Sequence, residues 1–89
     1  MHAVLTSVTI KDQATAEEYL REQVVPGAKQ APGFVAGYWV RDEREGRGVI
    51  VFDSEDAAQA ASGRISERIG GNPGVTLNSV SVGEVVASA

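Results

Sequence analysis

Apolar and polar positions alternate from His2 to Ile10, with Val4, Thr6, Val8 and Ile10 on one side and Ala3, Leu5, Ser7 and Thr9 on the other. That period, rich in β-branched side chains, predicts a strand. The alternation stops over 11–14, and Thr15 with Glu18 fits a capping box at a helix start. The stripe Ala16, Tyr19, Leu20, Val24, Ala28 and Ala31 then recurs at helical spacing, with Glu17, Glu18, Arg21 and Glu22 expected outward. Pro26 removes an amide donor and crowds the preceding turn, so a kink or stop near Val25 is expected, with a further short turn through Lys29. Pro32-Gly33 closes the helical region.

A second alternation follows from Phe34 to about Arg41 and is apolar on both sides: Phe34, Ala36, Tyr38 and Val40 against Val35, Gly37, Trp39 and Arg41. Asp42 to Gly48 is charged and contains Gly46 and Gly48, as an exposed hairpin loop would be. The return strand, Gly48 to Phe52, is apolar on both faces and so predicted to be central. Asp53 or Ser54 caps a helix running to about Ile69, with Ala57, Ala58, Ala61, Ile65 and Ile69 as its buried stripe. Gly70-Gly71-Asn72-Pro73-Gly74 ends it, and it lacks the lysine and following helix of a phosphate loop. Val75 to Ala87 alternates again, long enough for a strand that serves two sheets.

The order strand, helix, strand, strand, helix, strand matches the α+β ferredoxin-like βαββαβ unit, with a four-stranded antiparallel sheet and two helices on one face. The other face of that sheet has no cover within one chain, and its apolar content predicts pairing with a second copy. Size strengthens this expectation. A chain of 89 residues forms a single domain (1–89) with a thin core, and having no cysteine it can use neither disulfides nor thiolate metal sites. Oligomerisation is the remaining compensation, as a homodimer or a higher oligomer.

A formal net charge of −4 is the wrong sign for a phosphate-backbone partner, so no nucleic acid is expected. No basic leader precedes an apolar block and no apolar run reaches membrane-span length, so a cytoplasmic protein without a membrane partner is expected. There is no His, Cys or carboxylate cluster at metal spacing.

The segments Pro32-Gly33-Phe34, Gly37-Tyr38-Trp39, Val49 to Phe52 and Asp53-Ser54-Glu55-Asp56-Ala57 together resemble the antibiotic biosynthesis monooxygenase-like family. The resemblance extends over nearly the whole chain in element order. It implies a dimeric α/β barrel, with a pocket between sheet and helices in each subunit, and a small aromatic or quinol substrate oxidised without a cofactor. Haem-degrading relatives are part of the same family. Here the first strand carries no asparagine and the second helix no histidine or aromatic, and His2, the only histidine, lies beside the terminus. Haem degradation is therefore disfavoured.

Tyr38 and Trp39 are adjacent on a strand and so point to opposite faces. Trp39 reads as a core or dimer-interface aromatic, or as a surface on which a ligand stacks. Arg41 shares its face and could lie over the indole. As catalytic candidates, Tyr38, Tyr19 and Asn78 could hydrogen-bond a phenolic substrate or polarise an oxygen intermediate; each also has a plain structural reading. His2 could act as a base, or simply be solvated. The two classes of function are thus a cofactor-independent monooxygenase and a non-catalytic dimer that binds a small ligand or serves in assembly.

Overall fold

The computed structural model describes all of residues 1–89. Its elements are β1 (His2–Ile10), α1 (Gln13–Tyr19), a π turn (Leu20–Val24), α2 (Val25–Lys29), β2 (Phe34–Asp42), β3 (Glu45–Phe52), α3 (Glu55–Gly70) and β4 (Val75–Glu84). The strands form one antiparallel sheet in the order β2-β3-β1-β4, the ferredoxin-like arrangement predicted above. β3 is central, as its two apolar faces require.

The first helical passage begins one turn earlier than the Thr15–Glu18 box implies. Asp12 is the N-cap, and its side chain accepts from the Thr15 amide at 3.0 Å. The kink expected at Pro26 takes the form of the π turn. In an α-helix the proline ring would meet the carbonyl of residue 22; the chain instead widens, and the Val25 N–H donates to the Leu20 carbonyl five residues back. Helical geometry then resumes, with the donor-less Pro26 in the first turn of α2. α3 is capped by Ser54, which accepts from Ala57 N–H at 3.1 Å, and buries Ala58, Ala61, Ile65 and Ile69.

Val4, Ile50 and Phe52 are fully buried beneath these helices, and Phe34 meets Phe52 edge to face at 6.3 Å. Two boundaries differ from expectation. The hairpin is tighter than the 42–48 loop: Asp42 pairs with Glu45, only Glu43 and Arg44 turn the chain, and Glu43 takes a positive φ of 54°. β4 ends at Glu84 rather than Ala87, because its partner β1 begins at His2, which faces Glu84; beyond that, Val85 N–H reaches only the Met1 carbonyl. Within one chain β4 therefore serves a single sheet.

The opposite face of the sheet is bare. Tyr38, Val49 and Leu5 stand abreast across three strands there, at 67%, 40% and 42% exposure. No helix is long and apolar enough to cross a membrane.

Candidate functional site

On the covered face, β2, β3 and β1 place Trp39, Gly48 and Thr6 side by side, with Arg41, Gly46 and Val8 in the next row. The glycines leave room for the indole. A methyl group on Gly48 would lie 2.5 Å from Thr6 Oγ1 and 3.0 Å from Trp39 Cδ1, and one on Gly46 would lie 2.8 Å from Val8 Cγ2. Here glycine inside a strand marks a close approach of side chains across it.

Between this floor and the first helical passage lies a cavity of about 360 Å³, within the range of small-molecule sites. Val8, Ile10 and Trp39 form its sheet side; Ala16, Leu20 and Val24 form its helix side. The π turn contributes directly, since Leu20, Arg21 and Val24 all belong to it. Asn72 closes one end. Its amide donates to the Ala16 carbonyl at 3.2 Å and its carbonyl oxygen accepts from Gly74 N–H at 2.9 Å, so the turn after α3 is tied to α1. Gly74 also has no space for a side chain, since a methyl there would meet Ala16 N at 2.5 Å.

The mouth is charged. Glu17 lies between Arg41, whose Nε is 3.2 Å from its Oε2, and Arg21, whose Nη1 is 3.8 Å from its Oε1. Oε2 is buried but accepts no hydrogen bond of good geometry, so the contact with Arg41 is mainly Coulombic. With both partners more than a third exposed, the pairs stabilise the fold little. Trp39 Nε1 is likewise buried without an acceptor. An unpartnered donor of this kind is uncommon in a folded interior.

The candidates from the sequence divide between the two faces. Trp39 and Arg41 line the cavity together, and Arg41 engages Glu17 rather than lying over the indole. Tyr38 stands on the bare face. Asn78 is also exposed, pairing through its Nδ2 with Thr9 Oγ1 at 3.0 Å. Tyr19 packs against the hydrophobic core, with its hydroxyl toward Gly71 and outside the cavity lining. His2 sits at the far end of β1, 3.8 Å from Glu55. Glu17, expected outward, is half-buried at the cavity mouth, where its carboxylate meets Arg41 of β2. Thr6, Gly46, Gly48 and Asn72 also belong to the site. The strand glycines were the available signal, since they share a face with Trp39.

No protein-family model matches the chain, and no curated protein matches it significantly. Solved structures do. SnoaB from Streptomyces nogalater, a cofactor-independent oxygenase, superposes with a TM-score of 0.71 at 16% identity, over 99% of this chain and 93% of that one. A protein of Chloroflexus aurantiacus J-10-fl assigned to the antibiotic biosynthesis monooxygenases gives 0.68 at 17%, over 100% and 97%. The chain has the fold of these monooxygenases. A mutant of MhuD from Mycobacterium tuberculosis, bound to two manganese protoporphyrin IX per active site, gives 0.69 at 21%, over 100% and 98%.

The residues here do not fit a haem. The cavity lining contains no His, Cys, Met or Tyr, and His2 is placed elsewhere. Nor does any group of three His, Cys, Asp or Glu side chains stand at metal-holding distance.

Proposed function

We propose that the chain is a cofactor-independent monooxygenase of a small aromatic or quinol substrate, working as a homodimer. The observation that carries this reading is the cavity between sheet and helices, with aliphatic walls, an indole on one side and a charged mouth. A planar substrate lies against the edge of Trp39 that carries its N–H and is shielded from water by Val8, Leu20 and Val24. For an anthrone, loss of a ring-methylene proton to water at the mouth leaves a delocalised carbanion. Transfer of its electrons to O₂ forms a carbon–oxygen bond, and elimination of water from the hydroperoxide leaves the quinone carbonyl. The methylene carbon is oxidised and O₂ is reduced, one oxygen atom entering the product and the other leaving as water.

Trp39 stabilises the anion. Its N–H has no partner in the unliganded protein, so a small turn of the ring that presents it to the substrate oxygen breaks no existing hydrogen bond. Tyr38, with Leu5 and Val49, belongs in this reading to the face that meets the second copy. Tyr19 and Asn78 act at one remove, Tyr19 by packing the end of α1 against the core and Asn78 by bracing β4 to β1.

Oxygen uptake with a panel of anthrones and hydroquinones tests this. Turnover above the protein-free rate is expected, and Trp39→Phe should lower kcat/KM by about tenfold or more, the loss of one hydrogen bond specific to the transition state. Uptake equal to the protein-free rate across the panel refutes it. One observation favours the second reading, a non-catalytic ligand-binding dimer: the only carboxylate of the cavity, Glu17, is already held between two arginines, leaving no free proton acceptor inside. Ligand binding without oxygen uptake would establish that reading.

A further inference from the structure

The cavity mouth carries more positive charge than its partners neutralise, on a chain whose net charge is −4. Arg21 and Arg41 share the single carboxylate of Glu17. The contact with Arg41 uses its Nε, which leaves both terminal guanidinium nitrogens, the pair suited to a two-pronged carboxylate contact, without a protein acceptor. Glu17 is thus both the spacer that holds the two guanidiniums at the opening and too small a counter-charge for them.

We infer that the ligand is a planar aromatic acid, whose ring lies along Trp39 and whose carboxylate docks on Arg41 and Arg21 at the mouth. This rests on the cavity being a ligand site, as proposed above, and adds the charged group the ligand must carry. Trp39 and Arg41 are two residues apart on one strand face, about 6.6 Å along the strand. A ring system lying beside the indole therefore brings a carboxylate on its outer edge to the guanidinium. The rest of the lining is aliphatic apart from the Thr6 hydroxyl, the Trp39 N–H, the hydrogen-bonded Asn72 amide and Arg47, whose charge is paired with Glu45, so the arginine pair distinguishes an acid from its neutral analogue.

The test compares 6-hydroxy-2-naphthoate with its neutral carboxamide by isothermal titration calorimetry. Trp39 is the only tryptophan, so a single indole N–H resonance of ¹⁵N-labelled protein shows whether each ligand occupies the cavity. The acid should bind roughly tenfold more tightly, as one charge-assisted contact at a half-exposed site allows, and the ratio should fall as salt rises. Arg41→Gln should bring the ratio to about two or below. Glu17→Gln should raise it, because it frees both guanidiniums; a merely structural role for Glu17 would not. If Arg41→Gln does not fold, this opposite sign carries the test. Equal affinities with a shifted indole resonance leave the cavity as a ligand site and overturn the acid assignment alone. A preference that survives in Arg41→Gln and is unchanged in Glu17→Gln overturns it too. If neither compound moves the indole resonance, the ligand-site reading fails and this inference with it.

Discussion

Gly48→Ala and Gly63→Ala are the same chemical change at two positions where the structure requires opposite outcomes. At Gly63, on the outer side of α3, nothing lies within 4 Å of the added methyl. Alanine there should stabilise by about 0.5–1 kcal/mol, through helix propensity and a less flexible unfolded chain. At Gly48 the methyl would stand 2.5 Å from Thr6 Oγ1, 3.0 Å from Trp39 Cδ1 and 3.1 Å from its Nε1. Both neighbours are side chains in a packed layer, so they must move, and overpacking of this kind costs about 1–3 kcal/mol. The gain from the unfolded chain offsets about 0.4–1 kcal/mol of that. The net loss is then about 1.3 kcal/mol at the midpoints of these ranges. With the gain at Gly63 the two variants should differ by about 2 kcal/mol, or about 8–16 °C in Tm for a domain of this size. Urea titration and thermal unfolding followed by circular dichroism measure both, and Trp39 fluorescence should shift in Gly48→Ala only. A Gly48→Ala protein as stable as wild type, with unchanged emission, would show that the indole does not lie over that glycine, and the floor of the proposed site would be lost.

Asn72→Ala removes an amide that bonds the Ala16 carbonyl and the Gly74 amide from a buried position, so a loss of about 2–3 kcal/mol in chemical denaturation is expected. Asp12→Ala deletes the N-cap of α1 and should cost about 1 kcal/mol by the same measurement, with Asp12→Asn nearly neutral. Val49→Glu puts a charge into the middle of the bare face between Tyr38 and Leu5; if that face pairs with a second copy as proposed, light scattering should find a dimer for the wild type and a folded monomer for the variant. A wild-type monomer at micromolar concentration would refute the self-pairing reading.

The fold was legible because each element carries its own local signal: alternation in β1 and β2, a capped stripe in α3, a glycine and proline stop after each helical region. The site was harder to read, and the reasons are specific. Gly46 and Gly48 sit in a charged, turn-like context, and only their cross-strand neighbours Trp39 and Arg41 give them their meaning. Glu17 stands among charged residues beside the apolar stripe and so reads as solvated; its partner Arg41 is far along the chain on β2 and meets it only through the fold. The two faces of β2 are legible from Ala36 onward, but Phe34, expected beside Ala36 and Tyr38, lies on the face of Trp39, and which face the helices cover was not legible. That depends on Phe34 pairing with Phe52 and on the irregularity that follows it, which sets Trp39 inward and Tyr38 outward.

The same irregularity links the two proposed activities of β2. Beyond that irregularity the side chains of β2 alternate, so any change of register that brought Tyr38 into the cavity would move Trp39 and Arg41 onto the bare face. β2 is an edge strand, held on one side only by β3, and the Phe34–Phe52 contact at its start is the aromatic anchor of its phase. Phe34→Ala removes that anchor from a partly buried position, at a cost of up to about 3 kcal/mol. It should impair ligand binding and self-association together, although Phe34 belongs neither to the cavity lining nor to the row of Tyr38, Val49 and Leu5. Calorimetry with 6-hydroxy-2-naphthoate and light scattering on the same sample read the two effects. A folded Phe34→Ala protein that lost one property and kept the other would show that cavity and bare face are set independently, against the alternation on which both readings depend.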